Sequence, residues 1–239
     1  MQALLLAGGL GTRLRSVVSD RPKPMADVCG KPFLEYLIQE LKKHGITEIV
    51  LAVGYMGNVI EEYFGDGHQL DVDIHYSYEK EQLGTAGAIK NAERYLTEDE
   101  FLVLNADTFY QAAYGDLIKM YREENPVMAI VLRKVEDISR YGSVKVEGNR
   151  VIGFNEKVSE AVPGVINGGI YLMKKEVLSM IPNGKKCSLE NEIIPELLKQ
   201  EKPICGIVNE GYFIDIGIPD DYFQFNEDVK NKIIVGENV

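Results

Sequence analysis

The sequence predicts an α/β fold in which a doubly wound, mainly parallel sheet is followed by a small α+β lobe. Short apolar runs end in glycine, and segments of helical length and periodicity lie between them. Alternation of strand and helix is typical of a parallel sheet with helices on both faces. After residue 134 this alternation stops and strand-like runs follow one another, which indicates an α+β second half.

The opening of the chain predicts a strand, a loop, a helix and a second strand. Residues 2–7 and 48–53 are apolar runs that stop at glycine, as buried strands do. Between them, apolar side chains recur at helical spacing, and two lysines follow where the helix dipole favours cations. These apolar residues are Phe33, Leu34, Leu37, Ile38 and Leu41.

The alternation continues with short connections to residue 133. The predicted strands are 74–78, 100–105 and 127–133, and the predicted helices are 85–94 and 116–124. We attribute the capping-box pattern at 97–100 to chance, because a strand-like run follows it.

The second half predicts a hairpin of strands 143–146 and 151–155 around a turn, and then a long strand over 164–173. A later helical pattern contains Pro195, which removes a backbone donor, so we expect the helix to break or restart there. No linker or repeat separates the halves, so residues 1–239 are predicted to form a single domain with halves 1–134 and 135–239.

The charge balance excludes some functions. With 26 Lys and Arg against 37 Asp and Glu, the net charge of −11 disfavours binding to nucleic acid through its phosphates, although it does not exclude small anions. The longest apolar run, 127–132, is much shorter than the roughly 20 residues of a membrane span. We therefore expect no membrane partner and a cytoplasmic location.

A glycine-rich loop follows the first strand. Gly8, Gly9 and Gly11 allow close approach of a ligand and let backbone N–H groups point at phosphate oxygens. Arg13 on the same loop offers a planar fork for phosphate, and Lys23 is held between two prolines. This combination predicts a triphosphate site.

Two familiar phosphate loops do not fit these residues. A dinucleotide-binding loop needs a third glycine where this chain has Arg13, and an acidic residue about 20 positions further on at the end of a second strand. A Walker loop needs Gly-Lys-Ser/Thr, which this loop lacks. The joint spacing of the glycines, Arg13 and Lys23 is what favours a phosphate site over an ordinary turn.

Two acids follow apolar strands, where open α/β sheets place ligand groups. Asp107 comes after the run 102–105, and Asp215 after the run 212–214. Each acid alone is typical of a solvated turn, but together they predict a site that holds Mg²⁺ in contact with phosphates. Glu156, Lys157 and Asn167 follow or lie within later strands, and they suit either solvent contacts or a sugar-phosphate site.

Five motifs together resemble the sugar-1-phosphate nucleotidylyltransferases. They are Gly-Gly-Leu-Gly-Thr-Arg-Leu at 8–14 with Pro-Lys-Pro at 22–24, Leu-Gly-Thr-Ala-Gly at 83–87, Asn-Ala-Asp at 105–107, Glu-Lys at 156–157 and Asp-Ile-Gly at 215–217. They follow the family's order over nearly the whole chain. The resemblance implies a Rossmann-like nucleotidyltransferase fold, with a nucleotide-binding half at 1–134 and a sugar-phosphate-binding half at 135–239.

The resemblance also implies substrates and residue roles. GTP, or another nucleoside triphosphate, and a sugar 1-phosphate are the expected substrates, and Mg²⁺ is the expected cofactor. The implied catalytic residues are Arg13, Lys23, Asp107, Lys157 and Asp215, of which Asp107 and Asp215 bind the metal. The implied nucleotide-binding residues are Leu6, Ala7, Gly8, Gly9, Gly11, Thr12, Glu79, Leu83, Gly84, Thr85 and Gly87, with Glu79 or Glu81 accepting hydrogen bonds from guanine. The implied sugar-phosphate-binding residues are Tyr141, Gly142, Glu156, Lys157, Asn167 and Gly168.

Two further expectations concern assembly and class. Members of this family are often oligomers, so a homo-oligomer is possible. A hypothesis of another class is a non-catalytic nucleotide-sugar sensor built on the same fold. Such a protein need not keep the charged residues that act in the transition state, whereas Arg13, Lys23, Asp107, Lys157 and Asp215 are all present.

Overall fold

The computed structural model describes residues 1–139, 141–155 and 161–234, and these ranges contain thirteen strands and six α-helices. The strands are β1 (Gln2–Leu6), β2 (Asp27–Val28), β3 (Lys31–Pro32), β4 (Glu48–Val53), β5 (Asp73–Tyr78), β6 (Glu100–Asn105), β7 (Thr108–Tyr110), β8 (Met128–Val135), β9 (Ser143–Glu147), β10 (Arg150–Asn155), β11 (Gly164–Lys174), β12 (Ile204–Val208) and β13 (Phe213–Asp215). The helices are α1 (Phe33–Lys43), α2 (Gly57–Phe64), α3 (Gly84–Asn91), α4 (Tyr114–Glu124), α5 (Ile194–Lys199) and α6 (Pro219–Lys230).

The first half of the chain forms the parallel part of the sheet. Its strands run in the order β5, β4, β1, β6, all parallel to their neighbours. Leu4 on the central strand β1 pairs with Val50 on one side and Val103 on the other. Because both faces of β1, β4 and β6 are covered, their sequences are nearly continuous apolar runs, whereas the edge strand β5 mixes exposed and buried residues. The mixed α/β class predicted from the sequence is therefore confirmed.

The second half changes the direction of the sheet. β11 is inserted between β6 and β8 and runs antiparallel to both, and β9 and β10 form the predicted hairpin. β9 also pairs with β11, so β11, β8, β12, β10 and β9 close into a ring. The prediction of a mainly parallel sheet thus describes β1, β4, β5 and β6 but not this ring. The alternating sequence pattern did not reveal that a later strand separates β6 from β8.

The core has two parts on opposite faces of the sheet. Leu5 packs with Phe33 of α1 and Phe225 of α6 in one cluster, whereas Leu4 packs with Ile89 of α3 in the other. Successive side chains of β1 point to opposite faces, which explains why neighbouring leucines belong to different clusters.

The local predictions had mixed outcomes. A π-helical turn over Leu189–Ile193 is followed by α5, which carries Pro195 in its first turn, so the predicted restart is confirmed. Thr97 starts no helix, and its backbone N–H donates to Gln2 Oε1 at 2.7 Å. The helix predicted over 85–94 ends as an α-helix at Asn91 and continues as a 3₁₀ turn over Glu93–Tyr95. Within the described ranges, no helix is long and apolar enough to cross a membrane.

Candidate active site

The glycine-rich loop after β1 forms one wall of a cavity of about 460 Å³. Gly11 has a φ of +57°, which L-residues with a side chain rarely adopt, and a Cβ there would lie 2.8 Å from Cβ of Lys23. This turn leads into a 3₁₀ helix over Thr12–Leu14, where Arg13 is exposed and lines the cavity while Leu14 is buried. The loop therefore brings Gly8, Gly9, Gly11 and Arg13 to one wall of the cavity.

Lys23 is fixed beside two carboxylates. Pro22 precedes it and Pro24 follows it in a 3₁₀ turn, and the side chain is only 8% exposed. Its Nζ lies 2.9 Å from Asp107 Oδ2 and 3.6 Å from Asp215 Oδ1. Three of the predicted catalytic residues, Lys23, Asp107 and Asp215, thus form a single cluster. In the sequence, Asp107 lies 84 positions and Asp215 192 positions after Lys23.

The two acids meet because of a short antiparallel pair. β7 follows β6 after Asp107, and β13 pairs with β7 so that Asp215 stands opposite Thr108. The backbone N–H of Ile216 donates to the carbonyl of Asp107 at 3.0 Å. Asp107 follows β6 of the nine-stranded sheet, as expected from the sequence, whereas Asp215 is the last residue of β13, which lies outside that sheet.

Burial and the neighbouring Asp107 raise the pKa of Asp215, while Lys23, the N–H of Gly217 and Arg13 lower it. A carboxylate whose charged form is disfavoured in this way is a ready partner for a cation. The donor set fits a hard divalent ion, since carboxylate and phosphate oxygens are the ligands that Mg²⁺ prefers. Within residues 1–139, 141–155 and 161–234, no group of three or more His, Cys, Asp or Glu side chains is placed so that it could hold a metal ion.

Glu79 lies on the cavity wall just after β5. Its Oε2 accepts a hydrogen bond from the N–H of Leu83 at 3.1 Å, and a Cβ on Gly8 would lie 2.6 Å from its Oε1. Burial raises the pKa of Glu79, and the Leu83 hydrogen bond partly opposes this shift. Glu81, the other candidate for base recognition, is exposed and is not among the cavity-lining residues. Of the two carboxylates that the sequence left as alternatives, Glu79 therefore lines the cavity and Glu81 does not.

The start of α3 forms the opposite wall and packs tightly on residues 185–189. A Cβ on Gly84, whose φ is +70°, would lie 2.7 Å from the carbonyl oxygen of Cys187, and a Cβ on Gly87 would lie 2.8 Å from that of Lys185. The N–H of Cys187 donates to the carbonyl of Leu83 at 2.8 Å. These glycines therefore serve the packing of the wall, and of the motif 83–87 the cavity-lining residues are Gly84 and Thr85.

Of the predicted sugar-phosphate residues, the four that the structure describes are not in the lining of this cavity; they are Tyr141, Gly142, Asn167 and Gly168. The bulge in β11 falls at Gly168 and Gly169, next to Asn167, and a Cβ on Gly169 would lie 2.9 Å from Asn105 Nδ2. Tyr141 and Gly142 are partly buried just before β9, which pairs with β11 at Ile166. Glu156 and Lys157 lie outside the described residues.

The cavity lining contains most of the predicted nucleotide residues and some to which the sequence analysis assigned no role in the site. From the prediction it includes Leu6, Gly8, Gly9, Gly11, Thr12, Arg13, Lys23, Glu79, Gly84, Thr85 and Asp107. Ala7, Leu83 and Gly87 are not in the lining, and Asp215 reaches the site through Lys23. The additional residues are Pro24, Gln82, Ala88, Asn105, Ala106, Lys186 and Gly217. Lys186 is the most informative of these, since it adds an exposed cation to the wall.

A glycine-rich loop, a lysine and paired carboxylates around one cavity are typical of proteins that handle nucleotides by charge and positioning. A family model for nucleotidyl transferases matches residues 2–232. The chain belongs to the nucleotidyl transferase family, and the family resemblance predicted from the sequence is confirmed. Members of this family typically use a divalent metal ion.

Individual relatives agree with this membership. The D-glycero-alpha-D-manno-heptose 1-phosphate guanylyltransferase of Campylobacter jejuni is 46% identical over 226 residues, which cover 94% of this chain and 98% of that protein. The enzyme of the same name from Aneurinibacillus thermoaerophilus is 41% identical over 98% of this chain and all of its own length. The crystal structure of HddC from Yersinia pseudotuberculosis complexed with GMP-PN is 35% identical, with a TM-score of 0.84 over 95% of this chain and 99% of that chain.

Proposed function

We propose that this chain transfers GMP from GTP to D-glycero-α-D-manno-heptose 1-phosphate and releases pyrophosphate, which gives GDP-heptose. The observation that carries the proposal is the cluster in which Lys23 Nζ lies within 4 Å of both Asp107 and Asp215, at the cavity formed by the glycine-rich loop. The choice of sugar is supported by two relatives with this activity in their names. It is also supported by the strings at 140–144, 167–172 and 211–222, which resemble the same enzymes.

The reaction requires positioning and charge neutralisation more than covalent help from the protein. An oxygen of the sugar phosphate attacks the α-phosphorus of GTP, a new P–O bond forms, and the bond to the β-phosphate bridging oxygen breaks. Arg13 holds the β- and γ-phosphates and stabilises the leaving pyrophosphate, whose negative charge grows as it departs. Lys23 reaches from the carboxylate cluster toward the α-phosphate.

Asp107 and Asp215 would hold Mg²⁺, which supplies positive charge to the phosphates when it is bound. The support for these ligands is the short distance of both carboxylates from one lysine and the raised pKa of Asp215. Backbone N–H groups of Gly8, Gly9 and Gly11 add partial positive charge along the same wall.

The preference for guanine is assigned to Glu79. Guanine presents two neighbouring donors, N1–H and the 2-amino group, and an ionised carboxylate can accept from both at once. Glu79 is partly buried on the cavity wall, where water competes less for such bonds than at the exposed Glu81.

The sugar phosphate is assigned to the second half of the chain. Lys157 would bind its phosphate, and Glu156, Asn167, Tyr141 and Gly142 would contact its hydroxyl groups, with Gly168 allowing close approach. The position of the β11 bulge against Asn105, a cavity-lining residue, supports this assignment for Asn167 and Gly168.

The organisation of the chain is part of the same proposal. Residues 1–134 form the nucleotide-binding half and 135–239 the sugar-phosphate-binding half of one domain. The doubly wound arrangement of the first half is supported by the two hydrophobic clusters on opposite faces of its sheet. Because GTP is a cytoplasmic metabolite, we place the enzyme in the cytoplasm, and a homo-oligomer stays a prediction.

A matrix of nucleoside triphosphates against sugar 1-phosphates, measured by pyrophosphate release with Mg²⁺, tests the proposal. GTP with the heptose 1-phosphate is expected to give the highest kcat/KM. A clear preference for mannose 1-phosphate with GTP, for a hexose 1-phosphate with dTTP, or for N-acetylmuramate 1-phosphate with UTP would instead assign the chain to one of those activities. Unchanged turnover in Arg13→Ala and Asp107→Ala would show that the residue roles are wrong. Substrate binding without turnover for any pair would favour a nucleotide-sugar sensor.

A further inference from the structure

A continuous chain of hydrogen bonds joins the start of α3 to the bulge in β11. Thr85 Oγ1 donates to Glu190 Oε2 at 2.7 Å, and the hydroxyl of Tyr171 donates to Glu190 Oε1 at 3.0 Å. Asn167 Nδ2 donates to the oxygen of Tyr171 at 2.5 Å, and Asn167 Oδ1 accepts from the N–H of Gly169 at 3.0 Å. We call Thr85, Glu190, Tyr171 and Asn167 the Glu190 chain.

The direction of the bonds in the Glu190 chain follows from the Gly169 N–H and from the Glu190 carboxylate. The backbone N–H of Gly169 can only donate, so the oxygen of the Asn167 amide must face it and the NH₂ group must face Tyr171. An ionised carboxylate can only accept, so the hydroxyl protons of Tyr171 and Thr85 point to Glu190. Ser188 Oγ also donates to Glu190 Oε2, at 3.1 Å, and the N–H of Leu189 donates to Thr85 Oγ1 at 2.8 Å.

The Glu190 chain connects the two walls to which the two substrates are assigned. Thr85 lines the cavity in the first turn of α3, whereas Asn167 precedes the bulge that abuts Asn105. Between them, Tyr171 is fully buried. Thr85, Asn167 and Glu190 are partly buried. The Tyr171 hydroxyl is the buried link, and it is held in place because breaking either of its bonds would leave a buried polar group with one partner fewer.

We propose that Glu190 is a positioning residue for the sugar 1-phosphate. One carboxylate oxygen orients the Asn167 amide through Tyr171, so that the second N–H of Asn167 Nδ2 is presented to a sugar hydroxyl. The other oxygen holds Thr85, which ties this orientation to the nucleotide wall. The inference rests on the proposed function in one respect, namely that Asn167 contacts the sugar.

Kinetics of Tyr171→Phe, Thr85→Val and the double variant test the coupling. Tyr171→Phe removes only the hydroxyl, and we expect the KM for the sugar 1-phosphate to rise about tenfold while the KM for GTP changes less than about twofold. Thr85→Val alone should raise the KM for the sugar 1-phosphate by about threefold. Added to Tyr171→Phe it should raise this KM no further, because its effect reaches Asn167 through the Tyr171 hydroxyl, which is already absent. Effects that multiply in the double variant, or a sugar KM unchanged by Tyr171→Phe, would overturn the proposal.

Glu190→Gln tests the carboxylate itself. An amide of the same shape keeps one acceptor oxygen and turns an N–H group either toward Tyr171 or toward Thr85 and Ser188, so the bonds that the carboxylate accepts on that side are lost. We expect the sugar KM to rise as in Tyr171→Phe, without a comparable loss of kcat. A wild-type sugar KM in this variant would contradict the assignment.

Tyr121→Phe is a matched control. Its hydroxyl is also buried but has no hydrogen-bond partner within the described part of the chain, and Tyr121 is not a cavity-lining residue. Its removal should leave both KM values and the melting temperature near those of the wild type. If Tyr121→Phe raised the sugar KM as much as Tyr171→Phe, a general loss of core packing would explain both, and the proposal would fail.

Amide hydrogen exchange measured by NMR provides a test that does not depend on turnover. The Gly169 N–H is held by Asn167 Oδ1, so its exchange should quicken in Tyr171→Phe and Glu190→Gln but not in Tyr121→Phe. If no sugar 1-phosphate were a substrate, the proposed function would fail, whereas faster exchange would still establish the Glu190 chain. Unchanged exchange in both variants would show that Glu190 does not orient Asn167.

Discussion

Replacement of Glu79 by Gln should weaken the recognition of guanine. In the structure one oxygen of Glu79 accepts the Leu83 N–H, and the other lies against Gly8 on the cavity wall. The amide that replaces the carboxylate keeps one acceptor but turns an N–H donor toward one of the two guanine donors. The variant therefore loses at least one hydrogen bond to a charged group.

The size of the effect follows from the value of such a bond. A hydrogen bond to a charged group contributes about 1.5–3 kcal/mol, which corresponds to a fall of roughly 10- to 150-fold in kcat/KM for GTP. ITP lacks the 2-amino group of guanine, so in the wild type it already forgoes one of these bonds. The ratio of kcat/KM for GTP to that for ITP should therefore be large in the wild type and close to one in Glu79→Gln.

The assay is pyrophosphate release at saturating sugar 1-phosphate, with GTP and ITP varied in turn. Glu81→Gln is the matched control, because it makes the same chemical change two residues away on an exposed side chain outside the cavity. It should keep the wild-type ratio. A ratio that survives in Glu79→Gln, or one that collapses equally in Glu81→Gln, would refute the assignment of Glu79.

Three further predictions follow from the same region. Since burial raises the pKa of Glu79, its charged form is lost as the pH falls through that raised value, so the KM for GTP should rise in mildly acidic buffer in the wild type but not in Glu79→Gln. Asp215→Asn should abolish turnover yet raise the melting temperature at pH 7, because burial and Asp107 disfavour the charged carboxylate. This gain in melting temperature should shrink as the pH falls through the raised pKa of Asp215 toward the ordinary value of 3.8. A melting temperature of the variant below that of the wild type at pH 7 would contradict the prediction. Gly11→Ala should lower the free energy of unfolding by about 1–2 kcal/mol because Gly11 has a left-handed φ, and by more because the new Cβ would contact Lys23. Gly115→Ala is the control, because Gly115 lies in the first turn of α4 and has no atom within 4 Å of the position of a Cβ. It should raise the free energy of unfolding by up to about 1 kcal/mol, as measured by thermal unfolding.

Local elements were predictable where one physical signal dominated. β4 and β6 have the predicted bounds because both are apolar runs with clear ends. The order of strands was not predictable, since β11 reaches its place between β6 and β8 through pairing with residues far away in sequence. α6 was missed because its sequence is mostly polar, with a buried side formed by only a few residues.

The candidate site shows the same division. Lys23, Asp107 and Asp215 were singled out because each sits at a recognisable turn or strand end, and the structure brings them together. Lys186 gave no signal, since two adjacent lysines in a loop usually face solvent, and only the packing of residues 185–187 on α3 brings one of them to the cavity. Glu190 was not identified either, because its role depends on hydrogen bonds to Thr85 and Tyr171, which are distant in sequence.

The electrostatics of the Lys23 cluster explain how a protein with a net charge of −11 can bind two phosphorylated substrates. Lys23 is paired with two carboxylates, so when all three groups are ionised the cluster carries a net charge of −1 and does not by itself attract an anion. Favourable charge must come from elsewhere on the wall, and the loop N–H groups, Arg13 and Lys186 provide only part of it against two polyanionic ligands. A divalent cation between the carboxylates and the phosphates would reverse the sign of the cluster and free Lys23 for phosphate. In the proposed function the acidic residues of this site are therefore cation ligands rather than a barrier to anions, and the overall charge says little about what the cavity binds.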